Sequence, residues 1–170
     1  MGANISKCGK YRYLLWREFN DIFADDKVMT FIMLNPSTAD ADTDDPTIRR
    51  CIAFAKRHKC NYLQVINLFA FRATDPKELK YCEDPVGPDN KEAFRDAIIN
   101  CHNPDYKGIF VCAWGNHGTY MRQDETALGW LEEYGIPVYC LGLSKDGNPK
   151  HPLYLKADSE LIIYEKQKRE

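Results

Sequence analysis

Residues 28–34, Val28-Met29-Thr30-Phe31-Ile32-Met33-Leu34, are apolar at almost every position, and the run stops abruptly at Asn35-Pro36. A strand with no polar face must be covered on both sides, which places it inside a sheet with helices above and below. Beyond a polar loop at 39–45, the segment Asp45-Pro46-Thr47-Ile48 carries a helix start. Asp45 can cap the first turn, Pro46 fits the first helical position, and acidic residues suit the positive end of the dipole. Strand, polar loop and helix N-terminus together form the ligand edge of an open α/β sheet.

The rest of the chain can be arranged around that edge. After a polar tail, residues 11–19 are aromatic-rich and partly alternating and read as a strand, with turn chemistry at Asn20-Asp21 and Asp25-Asp26. Apolar residues at helical spacing predict a helix over 46–58, a second over 89–100 opening near Asp89 or Asn90, and a third over 119–134 closed by Gly135. Further strands are predicted at 62–67, 108–113 and 136–141, each followed by a polar or aromatic loop. Residues 153–164 form an element of unassigned type, and 165–170 a charged tail. Strands alternating with helices imply a three-layer α/β/α sandwich with a mainly parallel, four-stranded central sheet. At 170 residues, without linker or repeat, a single domain over 1–170 is expected.

Composition narrows the class. No apolar run approaches the roughly 20 residues of a membrane span, and residues 1–7 have no signal-peptide core, so a cytoplasmic protein is expected. Gly2 with Ser6 meets the minimal myristoylation pattern, without a polybasic neighbour. The seven cysteines are odd in number and include no Cys-x-x-Cys pair, which predicts reduced thiols. Neither His-x-x-x-His nor a carboxylate cluster points to a metal, and no cofactor is expected. A net charge of -2 does not suit a protein that coats nucleic acid, but it leaves room for a local basic groove.

In such a sheet the loops after the strands gather on one edge. They begin Asn35-Pro36-Ser37, Asn67-Leu68-Phe69-Ala70-Phe71-Arg72, Trp114-Gly115-Asn116-His117 and Gly142-Leu143-Ser144, the last running to His151-Pro152. In their order these segments resemble the motifs of the uracil-DNA glycosylase superfamily. Asn35-Pro36-Ser37 is similar to its water-positioning first motif, and Asn67 to Arg72 to its asparagine-bearing second strand. Phe110-Val111-Cys112-Ala113-Trp114-Gly115 is similar to its third strand, and His151-Pro152 to the start of its second catalytic motif. The chain as a whole looks closer still to an uncharacterised phage and bacterial group, the domain of unknown function 1643 family, for which no reaction is implied.

The superfamily resemblance implies a uracil-DNA glycosylase-like sheet in the order 2-1-3-4, counting the strands at 28, 62, 108 and 136. It also implies a pocket for a damaged, mismatched or modified base of DNA, or for a nucleotide. Asn35 would position water and His151 would face the leaving base. Asn67 would read the base edge and Phe69 or Phe71 would stack on it, with Pro36, Ser37, Asn116 and His117 around the ligand. Arg72 or Lys150 would contact phosphate. Each has a plainer reading: Asn35-Pro36 as a strand stop, Asn67 as a loop tie, Phe69, Phe71 and Trp114 as core, His117 as a solvated loop residue. An amide at position 35 cannot act as a general base, and Asp40, Asp42, Asp44 and Asp45 are the alternative carboxylates. Leu153-Tyr154 follows His151-Pro152, so the superfamily's serine is missing there. An iron–sulfur cluster is not expected. A non-catalytic binding module, or another small-molecule enzyme on the same scaffold, stands beside the glycosylase reading.

Overall fold

A computed structural model describes residues 1–101 and 108–166. Its centre is β3 (Asp25–Met33), the strand that the apolar run predicts. β3 pairs in parallel with β4 (Cys60–Asn67) on one side and β5 (Ile109–Cys112) on the other, and β5 pairs in parallel with β6 (Val138–Cys140). These are the strands expected at 62–67, 108–113 and 136–141, and they adjoin as β4-β3-β5-β6.

The sheet is larger than the four strands expected. It has seven, in the order β1-β2-β4-β3-β5-β6-β7. β1 (Gly2–Ile5) lies where a polar tail is expected, and pairs antiparallel with β2 (Arg12–Glu18), which pairs antiparallel with β4. β7 (Ile162–Ile163) closes the other edge antiparallel to β6, and resolves part of the unassigned stretch 153–164. Asp25, expected in a turn, already pairs with Cys60, with a register shift before Val28.

Helices cover both faces. α1 (Pro46–Arg57) buries Ile48, Cys51, Phe54 and Ala55 against the face carrying Met29, Phe31 and Met33. α2 (Asn90–Cys101) and α3 (Gln123–Glu132) pack Phe94, Ile98 and Leu131 against the face carrying Val28, Ile32 and Leu34. Thr30 is polar but not stranded, because its hydroxyl lies 3.2 Å from the Cys101 thiol. Buried side chains of Ile, Leu or Phe size contribute about 1.5–3 kcal/mol each, so these two layers dominate stability.

The third helix starts later than its apolar spacing predicts. Residues 116–122 form a 3-10 segment instead, broken where Tyr120 is extended (ψ 133°) and Met121 and Arg122 take φ of 54°. Short 3-10 turns also occupy Pro76–Tyr81 and Pro152–Tyr154. Of the charged tail at 165–170, residues 167–170 lie outside the described residues.

Candidate functional site

The chain leaves β3 through α1 to β4 on one side, then crosses by α2 to β5 on the other. This reversal opens a crevice at the carboxyl ends of the central strands. A cavity of about 670 Å3 occupies it, within the range of small-ligand sites. Asn35 and Ser37 reach it from the loop after β3, Asn67 from the end of β4, Asn116 and His117 from the loop after β5, and His151 from the loop after β6.

Backbone ties hold these loops together. The loops after β3 and β4 are joined by Phe69 N–H to Leu34 O at 2.9 Å and Ala73 N–H to Pro36 O at 2.9 Å. Gly115 N–H donates to Pro149 O at 2.8 Å, and Asn148 Nδ2 to Asn116 Oδ1 at 3.3 Å, joining the loops after β5 and β6. Arg50 on α1 donates to the carbonyls of Pro152 and Leu155 and so anchors the turn that follows His151.

Asn35 is oriented by its amide nitrogen, which donates to Pro36 O at 3.1 Å and Ala73 O at 2.8 Å. A carboxylate in the same place would set an anion against two carbonyl oxygens, which explains why an amide stands here. Among the described residues its Oδ1 has no hydrogen-bond donor. Asn67 is 1% exposed, and neither its Nδ2 nor its Oδ1 has a protein partner among the described residues. Its backbone is fixed instead, since buried Asn90 donates to the carbonyls of Asn67 and Leu68 at 3.0 and 3.1 Å. Asn67 therefore does not tie down its own loop.

Leu153 N–H donates to His151 Nδ1 at 3.3 Å, which leaves the proton of a neutral imidazole on Nε2. Burial lowers the His151 pKa, against a smaller opposing pull from Asp45, so the ring is neutral near pH 7. Three of the four aspartates in the loop before α1 have distinct roles. Asp40 accepts from Asp42 and Thr43 N–H, Asp44 pairs with Arg17 at 2.7 Å, and Asp45 lines the cavity while capping α1 through Ile48 N–H.

Other predicted residues fall elsewhere. Phe69 is fully buried, packs in a tilted contact with Tyr120 and joins the same core cluster as Leu68 instead of lining the cavity. Pro36 is buried behind the wall. Phe71 and Arg72 line a neighbouring groove of about 920 Å3 that shares Ser37, Ala73 and Thr74 with the cavity. Arg72 Nη1 donates to Gly9 O at 3.4 Å. Trp114 serves both readings: it is 2% exposed and edge-on to Tyr164, yet it lines the cavity with no partner for Nε1 among the described residues.

Two cavity residues were not legible in the sequence. Arg12 comes from β2, where a charged residue in an aromatic strand reads as solvent-facing, and it is buried. Tyr154 sits at the mouth with its ring 5.8 Å from that of His151. The only available signal for Tyr154 is its place three residues after His151.

Among the described residues no group of three or more His, Cys, Asp or Glu could hold a metal ion. The cysteines are free, and burial raises the thiols of Cys51 and Cys112 well out of the reactive range. No described helix is long and apolar enough to cross a membrane.

A family model described as a protein of unknown function, DUF1643, matches residues 12–153. That span holds every cavity-lining residue except Tyr154. No curated protein and no solved structure matches the chain.

Proposed function

The chain belongs to the DUF1643 family of proteins of unknown function, and from its strand-end cavity we propose that it recognises a nucleobase and hydrolyses the N-glycosidic bond of a damaged, mismatched or modified base in DNA. The observation that carries this reading is Asn67, a buried carboxamide on the cavity wall with donor and acceptor both unspent. A buried polar group without a partner costs about 1–3 kcal/mol, and a base edge offers the complementary acceptor and donor side by side.

The surrounding groups supply the remaining chemistry. As the glycosidic bond breaks, positive charge develops on the sugar and negative charge on the base. Asn35 Oδ1 accepts a hydrogen bond from water and directs it to the sugar carbon. Asp45, the carboxylate on the same wall, offsets the sugar's charge and takes the water proton. His151, neutral with its proton on Nε2, donates to the oxygen on which the departing base gathers charge. The uracil-DNA glycosylase-like order of the motifs supports the same assignment.

A second reading, a base- or nucleotide-binding module without turnover, is favoured by one observation: the residue after β3 is an amide held by two carbonyls, not a free carboxylate. Incubation with oligonucleotides bearing uracil, hypoxanthine, thymine mismatches and hypermodified pyrimidines, followed by cleavage at abasic sites, decides between them. Strand scission dependent on His151 supports hydrolysis. Retention of an intact oligonucleotide supports the module, and neither result removes the nucleobase reading.

A further inference from the structure

β2 carries two arginines that are each 3% exposed, and their surroundings differ. Arg17 is fully engaged. It donates to the Asp44 carboxylate and to the carbonyls of Gly2, Trp16 and Asp40. Arg12 donates from Nη1 to Ala39 O at 2.6 Å, its Nε has no partner, and among the described residues it forms no ion pair. Burial lowers its pKa to about 10, which leaves it cationic at neutral pH. A charged guanidinium taken out of water without a counter-charge is strongly unfavourable unless something else meets it. Asp45 is the strongest acidic influence, with Asp40 a weaker one, but Asp45 Oδ1 is committed to the α1 cap and Asp40 Oδ1 to the N–H groups of Asp42 and Thr43, while Arg72 and Arg17 add repulsion.

We propose that Arg12 is the receptor for a phosphate group of the ligand, so that the cavity takes a nucleotide unit rather than a bare base or nucleoside. The guanidinium fork matches two phosphate oxygens, and Arg12 shares its cavity with the first turn of α1 at Thr47 and Ile48 and with Lys150. The proposal rests on the nucleobase reading above and adds the chemical class of what the base is attached to. A free mononucleotide and one residue of a DNA strand both carry such a phosphate.

Titration calorimetry with the four deoxynucleosides, their 5′-monophosphates, a short single-stranded deoxyoligonucleotide and inorganic phosphate tests it, on wild type and on Arg12→Gln and Arg12→Lys. At least one monophosphate, or the oligonucleotide, is expected to bind roughly 10–100-fold tighter than the matching nucleoside. Arg12→Gln should erase that gap while leaving nucleoside affinity in place, and Arg12→Lys should keep part of it. Inorganic phosphate should compete in wild type alone. A gap confined to monophosphates assigns a free nucleotide, and one confined to the oligonucleotide assigns a strand diester. Equal affinity of nucleoside, monophosphate and oligonucleotide for wild type overturns the proposal, as does an equal loss of both in Arg12→Gln. If Arg12→Gln does not fold, the wild-type gap and the phosphate competition decide. Arg12-dependent phosphate binding with no discrimination among bases would sink the nucleobase reading and leave Arg12 as an anion receptor.

Discussion

Asn67→Leu separates a ligand-reading amide from a structural one. The leucine side chain has the branching and heavy-atom count of asparagine and no polar atoms, but it is bulkier. Asn67 keeps two buried polar atoms without protein partners, and each such atom costs about 1–3 kcal/mol, giving an upper bound of about 2–6 kcal/mol. Imperfect packing of the branched end returns part of that. A net gain of at least about 1 kcal/mol is expected, which for a chain of this size raises Tm by about 2–4 °C. Because Asn90 holds the Asn67 backbone, not its side chain, the strand end should keep its place. Urea and thermal unfolding of the purified variant measure the gain, and nucleoside binding or base excision should fall at the same time by about 1–3 kcal/mol. A loss of stability beyond about 2 kcal/mol would refute the reasoning, since that is the signature of an amide tied into the protein. So would a variant that is stabilised but binds as wild type.

His151→Ala should lower turnover by roughly 10²–10³-fold while affinity changes little, as single-turnover and binding measurements on one substrate would report. Because burial depresses the His151 pKa, its contribution to stability is fully present above the ordinary imidazole value of about 6.5. That contribution is lost as pH falls through this value towards the folded one. The unfolding free energy of wild type relative to His151→Gln should therefore fall between neutral and mildly acidic pH. Asn35→Asp, which places a carboxylate against the carbonyls of Pro36 and Ala73, should destabilise by about 1–3 kcal/mol at pH 7 and recover in acid. A flat pH profile would remove that account of the amide. Gly118→Ala would bring its Cβ to 2.0 Å from the Trp114 ring and should cost about 1–3 kcal/mol or more, seen as a lower denaturation midpoint with altered Trp fluorescence.

What the sequence disclosed follows from where side-chain period and burial agree. The run at 28–34 is apolar on both faces, so its central, doubly covered place needed no tertiary information, and the loops of parallel strands had to share an edge. That is why Asn35, Asn67, Asn116, His117 and His151 meet on one cavity although they are spread over more than a hundred residues. β1 was illegible because Gly2-Ala3-Asn4-Ile5 has neither period nor propensity, and its strand is made by the ladder with β2. Phe69 and Phe71 stayed open between stacking and core because a loop has no fixed alternation, so which ring is core and which lines a groove depends on packing. The late start of α3 depends on left-handed backbone at Met121 and Arg122, which no propensity of those residues announces. Arg12 was hidden for a simpler reason: charge in a sequence reads as solvent until a cavity is seen beside it.

Among the described residues the hairpin of β1 and β2 joins the sheet's parallel strands along the edge of β4, and it delivers Arg12 to the cavity. Asn67 and His151 belong to the end of β4 and the loop after β6, whereas Arg12 arrives on the antiparallel hairpin. On the proposed reading, the body of the ligand and its charge would be met by two pieces of chain, tied to each other where Arg12 reaches Ala39 O and Arg17 reaches Asp44. A change in the hairpin would therefore act on the loop after β3 as well as on the charge beside the cavity. Loss of the hairpin would do more than remove a cation, because it would bare the β4 edge and turn a strand flanked on both sides into a template for pairing with other chains.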